Sequence, residues 1–231
     1  MYKEVFSHCL GFCMKARVRV WDLPTRLFHW TLVASVIGLI ITGNIGGLWI
    51  EWHYRLGQLV FSLLLFRLAW GFAGGHWSRF VNFVRGPVSI WRYWRGQTPP
   101  AVGHNPIGAL SVLAFLAVLL TQVFTGLISD DEIAFYGPWS SLFSSDWVAW
   151  ATHHHQTIGK FLLLALIALH LLAIAFYRWI RRQSLVPAMI HGDKLLSPMS
   201  TSSNDTSAKR VLALLIWLTC LTLVWWLTPL P

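Results

Sequence analysis

"THHHQTIGKFLLLALIALHLLA", residues 152–173, sets four histidines in one apolar run. Three imidazoles stand at its entrance and His170 stands deep inside. Its length is close to the ~20 residues that carry a helix across a bilayer core. Lipid offers a ring nitrogen no hydrogen bond, so an imidazole at that depth needs a partner inside the protein.

Comparable runs recur at 30–48, 56–73, 107–128, 157–177 and 211–227. The chain has 231 residues, is 55% hydrophobic and carries charge on only 12% of its positions, which excludes an ordinary soluble domain. The runs do not alternate apolar with polar, which excludes a membrane barrel. They predict five transmembrane helices, each satisfying its own backbone hydrogen bonds, and hence an all-α integral membrane protein.

The formal net charge is +9, and its distribution points to a membrane and away from nucleic acid. Lys15, Arg17, Arg19 and Arg26 precede or open the first span; Arg79, Arg85, Arg92 and Arg95 follow the second. Arg178, Arg181, Arg182, Lys194, Lys209 and Arg210 lie between the fourth and fifth. Residues 129–152 instead hold Asp130, Asp131, Glu132 and Asp146 with no Lys or Arg, and 49–55 hold only Glu51 and Arg55. The positive-inside rule then predicts a multi-pass protein of the bacterial inner membrane, N-terminus cytoplasmic and C-terminus periplasmic.

No small-residue cleavage site follows the first run, so it reads as an uncleaved span. Residues 1–16 read as a cytoplasmic extension, with Met14 an alternative start. Cys9, Cys13 and Cys220 supply neither a disulfide framework nor a covalent haem motif. Segment 74–105, basic and aromatic, is expected along the inner interface. Segment 184–208, rich in Ser, Thr and Pro, is expected to be mobile. Asn105-Pro106 is a good cap for the third helix.

The histidines sort by depth into two layers. His29 opens the first run and His170 lies roughly 22 Å down the fourth helix from His155, so these two share an inner layer. His53 opens the second run, and one of the triplet joins it in an outer layer. At about 100° per residue, His155 is roughly 60° from the face of His170, His153 roughly 100° and His154 roughly 160°. His155 is the best candidate and His154 the alternative. His153 reads as interfacial, and His8, His76, His104 and His191 as solvated loop residues. A zinc site in the triplet is disfavoured, because adjacent helical residues point apart.

Two imidazoles per layer, on different helices, can clamp a haem edge-on, and a neutral imidazole is a good iron ligand. With both axial positions filled, the iron would carry electrons and bind no substrate. Arg67, fourteen residues after His53, should face inward near the inner layer, where a haem propionate would suit it. Gly57 and Gly159, four residues after His53 and His155, and Gly43, fourteen after His29, would leave room for a flat macrocycle.

Six stretches carry a resemblance: "VRVWDLPTRLFHW" at 18–30, "HYRLG" at 53–57, "RLAWGFAG" at 67–74, "GHNPIGALSVLA" at 103–114, "TGLISDDEIAFYGP" at 125–138 and "HQTIGKFLLLALIALH" at 155–170. In that order they resemble the prokaryotic cytochrome b561 family, which includes b-type subunits of membrane-bound nickel–iron hydrogenases. The resemblance covers about 17–180. It implies a four-helix bundle holding two b haems, with His29, His53 and His170 as ligands and His155 in its "HxxxG" context. The fourth-helix pair, fifteen apart here, departs by one from the family's usual fourteen.

The expected organisation is an extension at 1–16, a dihaem four-helix domain at 17–180, a cytoplasmic linker at 181–210 and a fifth transmembrane helix at 211–231. The expected function is electron transfer between the quinone pool and a redox partner, either a periplasmic c-type cytochrome or an oxidoreductase subunit. Its own enzymatic role would be subordinate to that partner's. The acidic loop 129–152 could steer a basic partner, and an oligomer is compatible with the sequence. A self-contained quinone-coupled superoxide oxidase is the alternative within redox chemistry. A membrane anchor or transporter without redox role is the alternative outside it.

Overall fold

The computed structural model describes residues 15–98, 101–133 and 135–229. His8, Cys9, Cys13, Met14 and all but the last two residues of the expected 1–16 extension lie outside the described residues.

Helix α1, Leu23–Ile45, starts seven residues ahead of the apolar run that predicts it. Asp22 accepts the Thr25 N–H at 2.8 Å and Pro24 sits in the first turn, so the cap sets the start and hydropathy does not. The helix ends at Gly46 and Gly47, with φ of +68° and +56°, values that an L side chain strains to reach. That turn and a short 3₁₀ stretch, Gly47–Trp49, bring α2, Ile50–Ala73, back alongside α1. Two short helices follow, α3 at Phe80–Phe83 and α4 at Pro87–Trp94, with Trp91 and Trp94 of α4 exposed. Helix α5, Pro106–Ile128, begins as the sequence predicts, with the Asn105 side chain accepting the Gly108 N–H at 2.7 Å.

The fourth span is one continuous helix of 35 residues. Helix α6, Ser145–His153, runs through a π-helical stretch, His154–Ile158, into α7, Gly159–Trp179. It begins twelve residues before the expected 157, so the triplet lies within a helix and does not open one. After α8, Val186–His191, comes α9, Ser207–Leu227, capped by Thr206. Among the described residues, five helices are long and apolar enough to cross a membrane, as the all-α reading expects.

Helices α1, α2, α5 and α7 form the bundle, and α9 packs on α2. Half of the second span is buried, against 11–17% of the others, so α2 is its central post. Val36, Val60, Leu64, Leu116, Leu119 and Leu163, drawn from all four bundle helices, make a core near mid-bundle. Phe66 and Trp70 of α2 hold Ala213 of α9. In lipid such contacts hold by dispersion and close fit, since burial from water is not at stake. At its far end α9 is fastened by polar bonds: Gln58 and Tyr54 reach the Thr228 carbonyl, and Trp139 the Leu227 carbonyl.

The other end is more built than the sequence suggests. Segment 184–208, expected to be mobile, folds. It contributes α8 and strand β2, Asp193–Leu196, which pairs antiparallel with β1, Ala16–Arg19. Arg19 bridges Asp193 at 2.6 Å and Asp205 at 2.7 Å, and Arg210 adds a bond to Asp205 at 3.0 Å. Beneath the sheet Val20, Trp21 and Ala188 pack with Trp77 and Leu196. Asp22 ties the neighbouring helix ends to the same place. Its fully buried carboxylate accepts from Thr25 N–H, Trp70 Nε1, Gly75 N–H and the Ser78 hydroxyl, joining α1, α2 and the loop after α2. The three basic segments of the sequence therefore meet at one end of the bundle.

Candidate functional site

His53 is the fourth residue of α2, and its ring turns toward α1, where Nδ1 lies 3.0 Å from the Leu39 carbonyl and 3.3 Å from the Thr42 hydroxyl. His155 lies in the π-helical stretch, and its Nδ1 lies 2.9 Å from the Gln122 carbonyl of α5. A carbonyl only accepts, so in both rings Nδ1 carries the proton and Nε2 keeps the lone pair. The ring centres are 6.0 Å apart and the planes cross at 87°. Each Nε2 lone pair is left free to bind a Lewis acid. Imidazoles sharing one metal through Nε2, with bonds of about 2 Å, would have ring centres roughly 6 Å apart.

The neighbouring helices repeat one device. On α1, Thr42 and Gly43 follow the Leu39 carbonyl; on α5, Thr125 and Gly126 follow the Gln122 carbonyl. A Cβ on Gly43 would stand 3.0 Å from the His53 ring, and one on Gly126 2.8 Å from the His155 ring. Each buried Thr returns its hydroxyl to its own helix, to the carbonyl of Gly38 or of Thr121. Gly43 was expected to face inward here; Gly126, Gln122 and both threonines were missed. The repeated Thr-Gly pair and a glutamine inside an apolar run were the available signals.

The glycines beside the histidines divide. Gly57 faces open space, while the flank of Gly159 is filled by the Gln122 side chain and the His154 ring. Gly159 therefore leaves room for neighbouring protein, not for a macrocycle as expected. His154 stacks toward Trp150, ring centres 5.4 Å apart, and His153 is exposed. Of the triplet, only His155 faces His53. The π-helical stretch also accounts for the fifteen-residue interval. One extra residue is absorbed where Gly159 N–H bonds the His154 carbonyl, so His155 keeps the phase of a fourteen-residue interval, roughly 40° from His170.

The inner pair is less prepared. The His29 Nδ1 is buried without a partner and its ring meets Trp30 edge-on. The His170 ring stands edge-on to Phe115, within electrostatic reach of His29. Arg67 is buried with Nη1 unpartnered, its guanidinium 4.9 Å from the Phe80 ring centre. Among the described residues it has no salt bridge. A buried cation in that state calls for an anion.

His104, expected to be solvated, is not. Its ring sits between Trp21 and Phe83, at 4.6 and 4.7 Å, with Nδ1 buried and unpartnered. Burial pushes its pKa down to about 3, and the charges of Arg67, Lys194 and His29 add to the effect. No group of three or more His, Cys, Asp or Glu able to hold a metal occurs among the described residues. His53 and His155 supply two nitrogen donors, and a structural tetrahedral ion takes four ligands.

Residues 20–192 match the family model described as prokaryotic cytochrome b561. The chain is 27% identical to a protein of Rhizobium leguminosarum bv. viciae named "Probable Ni/Fe-hydrogenase B-type cytochrome subunit", over 77% of this chain and 89% of that one. A protein of the same name from Bradyrhizobium diazoefficiens is 25% identical, over 77% and 85%. Another from Azotobacter vinelandii is 25% identical, over 76% and 87%. No solved structure matches the chain.

Proposed function

Because the chain belongs to the prokaryotic cytochrome b561 family, a multi-pass membrane protein with b-type haem that transports electrons, we propose that it holds two b haems and passes electrons between the quinone pool and a redox partner. His53 and His155 would hold the outer haem, and His29 and His170 the inner. The observation that carries this reading is the outer pair: two Nε2 lone pairs on rings 6.0 Å apart, each fixed by a carbonyl behind it. These four histidines would hold the haem, which would supply one-electron exchange and no substrate chemistry of its own.

The protein's own residues do the rest. The Leu39 and Gln122 carbonyls hold the rings and keep their protons on Nδ1. Gly43 and Gly126 admit the rings between helices. Arg67 supplies the unpaired cation for a propionate of the inner haem. The apolar core between the layers keeps water from joining the two sites.

The relatives' names support an oxidoreductase of the hydrogenase type as partner; a c-type cytochrome is the other candidate. The basic end would face the cytoplasm, with the N-terminus, and the C-terminus would face the periplasm. Residues 17–180 would be the electron-carrying unit and α9 its accessory span. An oxidised-minus-reduced spectrum with pyridine haemochrome quantification tests the reading. About two non-covalent b haems per chain are expected from ligand counting. A folded but colourless protein refutes it.

A further inference from the structure

We propose that Gln122 is the positioning residue of the outer pair: its side chain is the wedge that holds the π-helical stretch in the fourth span, and through it the rotational setting of His155. The proposal rests on the reading of His155 as a ligand. The two outer histidines reach their places by different routes. His53 lies in the first turn of α2, just after a glycine turn, so the chain can set its direction freely. His155 lies eleven residues into a continuous helix that must also present His170 fifteen residues later. A regular α-helix would put the two roughly 60° apart, and absorbing one residue reduces this to roughly 40°.

A bulge of one residue removes a carbonyl from the helical ladder, and that carbonyl needs an outside donor. The His155 carbonyl receives Gln122 Nε2 at 3.2 Å. The same residue's backbone carbonyl holds His155 Nδ1, so Gln122 grips His155 at both its backbone and its ring. The wedge fits because position 159 has no side chain: a Cβ there would collide with Gln122 Oε1. A polar residue inside an apolar span, aimed into a helix irregularity, has a task that apolar packing cannot perform.

The test replaces Gln122 with leucine, with and without deletion of Gln156 from the bulge. Deletion sets His155 and His170 fourteen apart in an ordinary helix and makes the wedge unnecessary. The readouts are haem per chain, the low-spin resonance of each haem and their midpoint potentials. Gln122→Leu should take the content from about two haems to about one, or shift the outer haem's resonance and potential alone. Gln122→Leu with the deletion should restore the parent signature.

A Gln122→Leu protein with unchanged resonance and potential overturns the proposal, and so does a double variant that stays defective. Should Gln122→Leu fail to accumulate, the deletion alone decides: an intact haem pair supports the wedge, and loss of the outer haem overturns it. His155→Ala separates the two levels. If it keeps the outer haem, the ligand reading itself fails, whatever Gln122 does.

Discussion

Gly43 and Gly126 stand against imidazole rings, at 3.0 and 2.8 Å from where a Cβ would be, and the difference predicts unequal sensitivity. Alanine at 126 must displace the His155 ring, whereas alanine at 43 needs only a shift of a few tenths of an ångström. Redox titration should therefore show a larger change in the outer midpoint for Gly126→Ala than for Gly43→Ala. Within the triplet, His155→Ala should lose the outer haem, and His154→Ala should keep it because that ring is turned to Trp150; haem content distinguishes them. His104 gives a pH prediction. Its pKa lies below the ordinary 6.5, at about 3, so the folded protein keeps the ring neutral where the unfolded chain would protonate it. The stability it contributes is whole above about pH 6.5 and is lost as pH falls toward 3, on the order of 1–2 kcal/mol by pH 5. Thermal melts at pH 7.5 and pH 5 should differ less in His104→Gln than in the parent. That the His53 and His155 rings come together was legible from the sequence, because counting along a helix gives a residue's level. Which glycine meets which ring was not, since Gly126 and His155 belong to different helices and counting along one says nothing of its neighbour.

Helix starts were legible where a cap adjoins the apolar run, and not where, as with Asp22 and Pro24, the capped start stands seven residues ahead of it. Asn105-Pro106 fixed the start of α5, while the starts of α1 and of the fourth span lie in sequence too polar for a hydropathy window. Ideal-helix phase chose His155 over His154 without the π-helical stretch, and that stretch carries His155 from roughly 60° on one side of the His170 face to roughly 40° on the other. The folded segment 184–208 was invisible because its bonds are long-range: Asp193 and Asp205 answer to Arg19 across most of the chain. Asp22 does comparable work for α1 and α2. Asp22→Ala would leave buried donors on Thr25, Trp70, Gly75 and Ser78 unmatched, at about 1–3 kcal/mol for each that finds no water. A fall in melting temperature in detergent is expected, smaller for Asp22→Asn, which keeps one acceptor oxygen.

Taken whole, the molecule is a bundle with a basic end and an acidic end, and orientation follows from charge. A reporter fused after Pro231 should read periplasmic and one inserted in 198–202 cytoplasmic; the reverse pattern would place the acidic loop inside. The family and the five helices were legible because hydropathy and ordered motifs are properties of long stretches, on which local errors of a few residues have no purchase. The β1–β2 pairing also sets a clock. Strand β1 is made ahead of the five spans and β2 only after the fourth of them, so the basic end stands unroofed while those four are made. Sealing by Trp21, Trp77 and Ala188 therefore comes late, after four of the five spans have been made.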